Sequence, residues 1–393
     1  MHYNGWVRSS VYVHFPYCLK KCPYCDFVSY KADRAEIDHA GYADAVIAEL
    51  GRRMAGEGPR TADGGPIGSI FFGGGTPSLW EPREIARVLD AARRTLVLAD
   101  DVEITVECNP TSLDRDRAAA LLAAGVNRLS IGAQSLRDGE LAFLGRLHDP
   151  AGALRAIEGA LATGVRVSAD LIYGLPDQSP EDAARQADQL AALGLAHVSA
   201  YQLTIEEGTL FGELRRRGRL PMADDARVAE AFVLVEEALA SRGLAHYEIS
   251  NFARPGEEAR HNLGYWRGEP YLGVGCGAYG FQRIGPGGRR WRNELDPARY
   301  MHTARSGADT TISSEDLDGD ALLRERIMLG LRLAGGLDLD EAGRDLALDP
   351  WPARRVKAAD ALAARGRLVR DGGQVRIPHD AWLFTDDTAS RLF

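Results

Sequence analysis

Cysteine is scarce in this chain: five in 393 residues, an odd number, with three of them crowded into positions 18–25. A secreted disulfide framework uses cysteines in pairs spread over the fold, so this usage fits a reducing compartment, the cytosol. No apolar run approaches the roughly 18 residues that span a bilayer, and no membrane anchor is expected. The opening, MHYNGWVRSSVYVHF, lacks a charged stretch followed by an apolar one, so no secretory leader is expected either. Excess positive charge is missing too: 47 Lys and Arg stand against 56 Asp and Glu, a formal net charge of −9. That balance disfavours nucleic acid as a partner, although it leaves room for a local basic patch. Internal repeats and low-complexity tracts are also lacking. What remains is an ordinary globular composition, 45% hydrophobic and 26% charged, long enough for two domains or one large α/β barrel.

Short β-branched runs recur, each followed by a longer stretch of helical periodicity. Strands are expected at 10–15, 68–74, 101–107, 126–133, 165–174 and 196–203, with amphipathic helices at 36–54, 81–96 and 149–164 between them. Asp or Pro opens these helices and Gly closes them, as Asp149-Pro150 and Gly164 illustrate. Six β-then-α units in a row imply parallel strands with right-handed crossovers. The units can make a full barrel, an incomplete one or an open doubly wound sheet, and in all three ligands sit at the carboxyl ends of the strands. Residues 56–68 read as a surface loop, 247–253 as one more strand and 260–281 as an irregular, aromatic, Gly-rich stretch. From about 318 three helices and an Asp-Gly-Gly hairpin (367–378) give a winged-helix outline. Acidic residues slightly outnumber basic ones there, so docking or covering is expected of it in preference to DNA binding.

Cys18, Cys22 and Cys25 lie in the loop leaving the first strand with the spacing C-x3-C-x2-C. A structural zinc site normally completes four ligands, and the spacing of Cys108 and Cys276 recruits neither. Three thiolates with one open position suit a 4Fe-4S cluster with a free iron, zinc or purely structural cysteines being the alternative. Other unusual residues sit at strand ends: GGGTP (73–77), Glu107 in ECNP, Gln134, and Asp170 and Tyr173 in SADLIYGLP. Each taken singly is compatible with an ordinary core or surface polar group; their shared placement points to one site.

With Tyr24 before its last cysteine, this loop resembles that of the radical S-adenosylmethionine superfamily. The resemblance implies an incomplete six-unit (β/α) barrel of the TIM type, α/β in class, with a small winged-helix-like α+β domain after it. The corresponding division is 1–245 for the barrel, 246–312 for an extension covering it, and 313–393 for the C-terminal domain. The free iron would chelate the amino and carboxylate groups of S-adenosylmethionine, and one electron would cleave its sulfonium to a 5′-deoxyadenosyl radical. VYVHFPYCLKKCPYCDF, FFGGGTPS, VNRLSIGAQS and DLIYGLP are most similar to the branch containing oxygen-independent coproporphyrinogen III oxidase and the HemW-type haem chaperones, over about residues 10–310. By position, Tyr12, Tyr24, Gly74 and Glu107 would contact S-adenosylmethionine. Gly75, Thr76, Gln134, Arg146 and Asp170 would line the same pocket. The resemblance implies no separate catalytic residue.

Two features divide the branch. The oxidase resembles C-x3-C-x2-C-x-C, where this chain has Phe27, and it carries a longer N-terminal extension. HemW-type proteins have an H-N-x-x-Y-W stretch associated with haem, and here it reads His261-Asn262-Leu263-Gly264-Tyr265-Trp266. A histidine there can ligate haem iron while Tyr265 and Trp266 pack on the porphyrin. His14 and Cys276 are further candidates for the iron ligand, and His14 can equally be a group steadying the cysteine loop. The resemblance thus implies a cytoplasmic haem chaperone passing haem to an acceptor protein, with respiratory enzymes as candidate acceptors and a flavodoxin or ferredoxin as electron donor. The alternatives are radical decarboxylation of coproporphyrinogen propionates to vinyls and, more distantly, a DNA-binding redox sensor.

Overall fold

The computed structural model describes residues 9–55 and 65–393. The expected loop over 56–68 lies mostly outside these residues, and its last two positions already belong to a strand. Six strands, β1 (Ser9–Phe15), β2 (Ile67–Gly74), β3 (Leu98–Cys108), β4 (Arg128–Gln134), β5 (Arg166–Tyr173) and β6 (His197–Gln202), fall where the sequence pattern placed them. Each pairs in parallel with the next in chain order. Helices α1 (His39–Ala55), α2 (Pro82–Thr95), α3 (Arg115–Ala123), α4 (Pro150–Leu161) and α5 (Pro180–Ala192) form the crossovers. Their starts follow from capping chemistry. Asp149 accepts from the Gly152 N–H and Ser179 from the Asp182 N–H, each followed by proline at the first helical position.

The strands are apolar on the face that meets the helices, where Val11, Val13 and Phe15 join the main core. The alternate residues of β1, Tyr12 and His14, turn the other way into the barrel lumen. The barrel does not close, because both of its edge strands have further partners. After α6 (Asp225–Ser241) come β7 (Ala245–Glu248) and β8 (Asn251–Ala253); β8 pairs antiparallel with β6, and β7 pairs antiparallel with β8 at the sheet edge. The single strand expected over 247–253 is therefore two strands and a turn, held by the Glu248 carboxylate accepting from the Ser250 N–H. The stretch expected to be irregular begins with a helix, α7 (Arg260–Trp266), which contains the whole HNLGYW sequence. Gly and aromatic residues are poor helix formers, and here packing against β1 and β2 overrides propensity. The chain then adds β9 (Tyr271–Gly275), parallel to β1, and the antiparallel strands β10 (Tyr279–Ile284), β11 (Gly287–Asn293) and β12 (Thr311–Leu317).

A buried carboxylate ties these added strands to the barrel. Glu49 of α1 accepts from Arg53 Nε (2.7 Å), Tyr300 Oη (2.7 Å), Thr310 Oγ1 (2.9 Å), Asn293 Nδ2 (2.8 Å) and the Gly275 N–H (2.9 Å). The C-terminal residues form a second core around α8 (Gly319–Gly330), α9 (Leu339–Leu346) and α10 (Ala353–Ala363), which Phe281 of β10 also enters. β13 (Leu337–Asp338), β14 (Val369–Asp371) and β15 (Gln374–Arg376) form its three-stranded sheet. Three helices with a hairpin make the winged-helix outline expected. No described helix is long and apolar enough to cross a membrane.

Candidate functional site

The loop carrying the three cysteines leaves β1 and is pinned at both ends. Tyr17–Cys18 pairs with Tyr30–Lys31, and His14 donates through Nε2 to the Val28 carbonyl at 2.7 Å. A carbonyl can only accept, so the His14 proton is on Nε2 and Nδ1 accepts from Tyr12 Oη at 3.0 Å. Burial lowers the pKa of this ring to about 4, keeping it neutral. The histidine thus steadies the cysteine loop, one of the two roles considered for it.

The end of β2 packs directly under that loop. The Gly75 and Thr76 N–H groups donate to the carbonyls of Phe15 and Tyr17 at 2.7 and 2.9 Å. A Cβ on Gly74, whose φ is +108°, would lie 2.5 Å from the His14 ring, and one on Gly75 would lie 2.7 Å from the Tyr17 carbonyl oxygen. Glycine is required at both positions for close approach of backbone to loop. Thr76 Oγ1 then donates to Cys18 Sγ at 3.3 Å, and Arg146 Nη1 to Cys22 Sγ at 3.6 Å.

Above the strand ends a cavity of about 470 Å³ gathers Cys18, Cys22, Cys25, Tyr24, Gly74, Gly75, Thr76, Glu107, Gln134, Arg146 and Asp170. Burial, then the other two thiols, raises Cys18 to about 11 against the pull of Thr76 and Arg146, and burial raises Cys25. Metal ligation here must therefore displace protons. Glu107 Oε2 accepts from the Gly74 N–H at 3.1 Å, yet burial and then the nearby Asp170 raise its pKa to about 8. Asp170, bonded to Ser130 Oγ at 3.2 Å, is also raised by burial. Two carboxylates that resist ionising in one lumen suit a ligand bringing positive charge and hydroxyl donors. Gln134 is held at φ +65°, a strained conformation for this residue. Arg146 donates from Nη2 to the Gly132 carbonyl at 2.9 Å, while its buried Nε has no partner. An orphaned guanidinium N–H beside three thiols fits an anionic ligand group. The residues present thus fit a 4Fe-4S cluster and S-adenosylmethionine.

Phe27 stands at the rim, 57% exposed. Ser130, Tyr201, Gln202 and Thr204 line the same cavity and escaped the sequence reading. Tyr201 and Gln202 close β6, so the strand-end rule applied to AYQL would have found them.

The structure separates the remaining residues from this cavity. Tyr12 lies a layer deeper, with its ring against Phe71 (6.3 Å) and His261 (6.2 Å). His261 is buried at the opposite end of the barrel, stacked on Phe71 at 4.8 Å. Both of its nitrogens are engaged at 3.0 Å, Nδ1 with Ser69 Oγ and Nε2 with Tyr265 Oη, and burial lowers its pKa to about 3. Cys276 is buried as well and donates to the Leu295 carbonyl at 2.8 Å. Trp266 faces outward from α7 into a cleft of about 1020 Å³, whose far wall is residues 333–338 of the C-terminal unit. Tyr265 lines a smaller adjoining cavity with Tyr271 and Phe281.

Comparison with known proteins agrees with this geometry. The model of the radical SAM superfamily matches residues 12–227, and that of the HemN C-terminal domain matches 317–384. A Mycobacterium tuberculosis protein named heme chaperone HemW is 37% identical over 97% of this chain and 94% of its own length. Its Escherichia coli namesake is 43% identical over 69% of each chain. The mouse mitochondrial radical S-adenosyl methionine domain-containing protein 1 is 40% identical over 93% of this chain and 82% of its own. Among solved structures, coproporphyrinogen III oxidase (HemN) from Escherichia coli superposes with a TM-score of 0.80 at 22% identity, covering 98% of this chain and 90% of that one, and so shares the fold. By its cysteine loop, its barrel and these relatives, the chain belongs to the radical SAM superfamily and, within it, to the HemW family.

Proposed function

We propose that this protein is a cytoplasmic haem chaperone. In this reading Cys18, Cys22 and Cys25 hold a 4Fe-4S cluster, and the cavity above the strand ends holds S-adenosylmethionine. Haem occupies the cleft under Trp266 and passes from there to an acceptor protein. The observation that carries the reading is the cleft, whose volume of about 1020 Å³ stands at the upper end of the range for cofactor sites, about 300–1,000 Å³. Leu263 and Trp266 on one side and Leu333, Ala334 and Leu337 on the other offer apolar surface to a porphyrin face. Arg267 and Arg326 offer guanidinium groups to its propionates.

His261 serves this cleft indirectly, by fixing α7 and with it Trp266. The bound cluster and S-adenosylmethionine supply one-electron chemistry to the upper cavity. There Thr76 and Arg146 stabilise thiolate sulfur, and the Arg146 Nε–H would donate to the same methionine carboxylate that the iron chelates. Glu107 accepts ribose hydroxyls. Respiratory enzymes are the acceptors that suit the reading, with a flavodoxin or ferredoxin as electron donor.

The test is a haemin titration of the anaerobically reconstituted protein and its Trp266→Ala variant, followed by the Soret band. Saturable binding of one haem per chain, weakened by about tenfold or more in the variant, is expected for loss of a buried aromatic contact. Absence of saturable binding overturns the reading, and turnover of coproporphyrinogen III then becomes the assay.

A further inference from the structure

We propose that Glu236, His246 and His379 bind a divalent transition ion of the zinc class that clamps the C-terminal unit onto the barrel. The three residues come from three separate elements. Glu236 is on α6, His246 is on the edge strand β7, and His379 opens the 3-10 turn (His379–Phe384) that follows the C-terminal hairpin. One ligand atom from each lies within 4.8 Å of the other two. His246 Nδ1 is 3.0 Å from Glu236 Oε1, and His379 Nε2 contacts the same oxygen. An ion with bonds of about 2.0–2.1 Å in tetrahedral array sets neighbouring ligand atoms about 3.4 Å apart, so each pair lies within about 1.5 Å of that spacing.

The surroundings favour a built site over a chance meeting of side chains. His246 is held by ring contacts on two sides, stacked on Phe252 at 4.1 Å and edge-on to Trp382 at 4.3 Å. Glu236 is buried, so one carboxylate and one imidazole are fixed before any ion arrives. His379 is the exposed member, with 66% of its side chain open, and provides both the entry path and the freedom to close on the ion. Two imidazoles and a carboxylate with one position left for water match zinc, cobalt or nickel, whereas calcium and magnesium take oxygen ligands. The next residues of β7 explain what the clamp controls. Tyr247 lines the cleft and Glu248 bridges to Leu333 on its far wall, so fixing His379 to His246 fixes the cleft's width.

The test uses the full chain, dialysed against chelator, with Cys18, Cys22 and Cys25 occupied by cluster and Cys108 and Cys276 buried, so that thiols do not compete for the added metal. Cobalt(II) is titrated first and zinc(II) then competes. One equivalent of cobalt is expected, with the visible bands of a four-coordinate nitrogen–oxygen site and no thiolate charge-transfer band. His379→Ala removes an exposed side chain and leaves the fold intact; it and Glu236→Gln each weaken binding by at least about tenfold. Zinc also slows proteolysis between the barrel and the C-terminal unit in the wild type and not in His379→Ala. Equal affinity in wild type and His379→Ala, a thiolate band, or no bound ion overturns the proposal.

Discussion

Replacing His261 by alanine tests the structure before it tests haem. The ring is 1% exposed, stacked on Phe71 and edge-on to Tyr265, each at 4.8 Å, and hydrogen-bonded through both nitrogens. Truncating a buried phenyl ring costs about 3–5 kcal/mol, and the smaller imidazole about 2–3 kcal/mol. The Ser69 and Tyr265 hydroxyls each lose a partner, at about 1 kcal/mol apiece, so the expected loss is about 4–5 kcal/mol. His261→Phe keeps a ring in place and orphans only the hydroxyls, for about 2 kcal/mol. Urea unfolding followed by circular dichroism measures both. Because the folded pKa is about 3 and the ordinary one 6.5, the ring's contribution is complete above about pH 6.5 and fades as the pH falls toward 3. Both variants therefore lose that part of the acid slope. A loss within about 1 kcal/mol for His261→Ala would refute the packing described, because it would mean the ring is free to leave Phe71. It follows that weaker haem binding by His261→Ala is not evidence of iron ligation unless His261→Phe, with α7 still supported, shows it too.

Glu107, with its pKa raised from 4.5 to about 8, is mostly protonated at pH 6 and half ionised near pH 8. S-adenosylmethionine affinity in the wild type should rise up to about tenfold per pH unit over that interval relative to Glu107→Gln, since the ligand's own titration is common to both; parallel isothermal titrations would sink the assignment. The sign for stability is opposite: ionising the buried carboxylate is a cost absent below about pH 4.5 and complete above pH 8. Gln134→Gly relieves a residue at φ +65° and should stabilise the apoprotein by about 0.5–1 kcal/mol while weakening the ligand, as thermal melts with and without S-adenosylmethionine would record. Arg53→Met strips the cation from the buried Glu49 carboxylate and should cost about 3–5 kcal/mol in urea unfolding, part of it recovered in the double variant with Glu49→Gln. Gly73→Ala places a methyl 2.9 Å from the Tyr12 ring, 3.0 Å from Phe71 and 3.1 Å from the Glu107 carboxylate, so it should weaken S-adenosylmethionine and haem together; an effect on one ligand only refutes the shared layer.

The upper site is legible in the sequence because its information is local. Period-two runs, Asp-Pro and Ser-Pro helix starts and a three-cysteine loop fix where the strands end, and the rule that ligands sit at those ends collects Gly74, Glu107, Gln134 and Asp170 in one cavity. The lower end is not legible, because its information lies in register. That Tyr12 faces the lumen follows from alternation. That it stands opposite Phe71, with His261 beneath, depends on the pairing of β1 with β2 and on a contact between Ser69 and His261, residues 192 apart in the chain. An aromatic neighbourhood around His261 suggests a ligand pocket in sequence, and in the fold it is a plug. The Glu236, His246 and His379 group has no spacing signal at all, since the C-terminal unit must dock before the third residue meets the other two.

The two ends of the barrel are joined by a solid column of side chains. From the cysteine loop it runs through the Val28 carbonyl to His14, on to Tyr12, and by ring contact to His261 and Tyr265 of α7. Each imidazole in it has both nitrogens satisfied, so shifting any member strands a buried polar group at about 1–3 kcal/mol. A packed element transmits a switch only if it has two arrangements of similar energy, and this column has one that satisfies all its members. It acts as a strut that holds α7 and Trp266 at a fixed distance from the thiols. Emptying the upper cavity therefore leaves the inner wall of the cleft in place for as long as Val28 stays on His14. The outer wall, residues 333–338, stands outside this column and reaches the barrel sheet through the Glu248–Leu333 bridge, the Ala334 N–H donating to the Tyr247 carbonyl at 3.0 Å, and the contact of His379 with Glu236. Under the proposed function, haem would therefore leave past the C-terminal unit, where an acceptor protein can reach it, without a change at the cysteine loop.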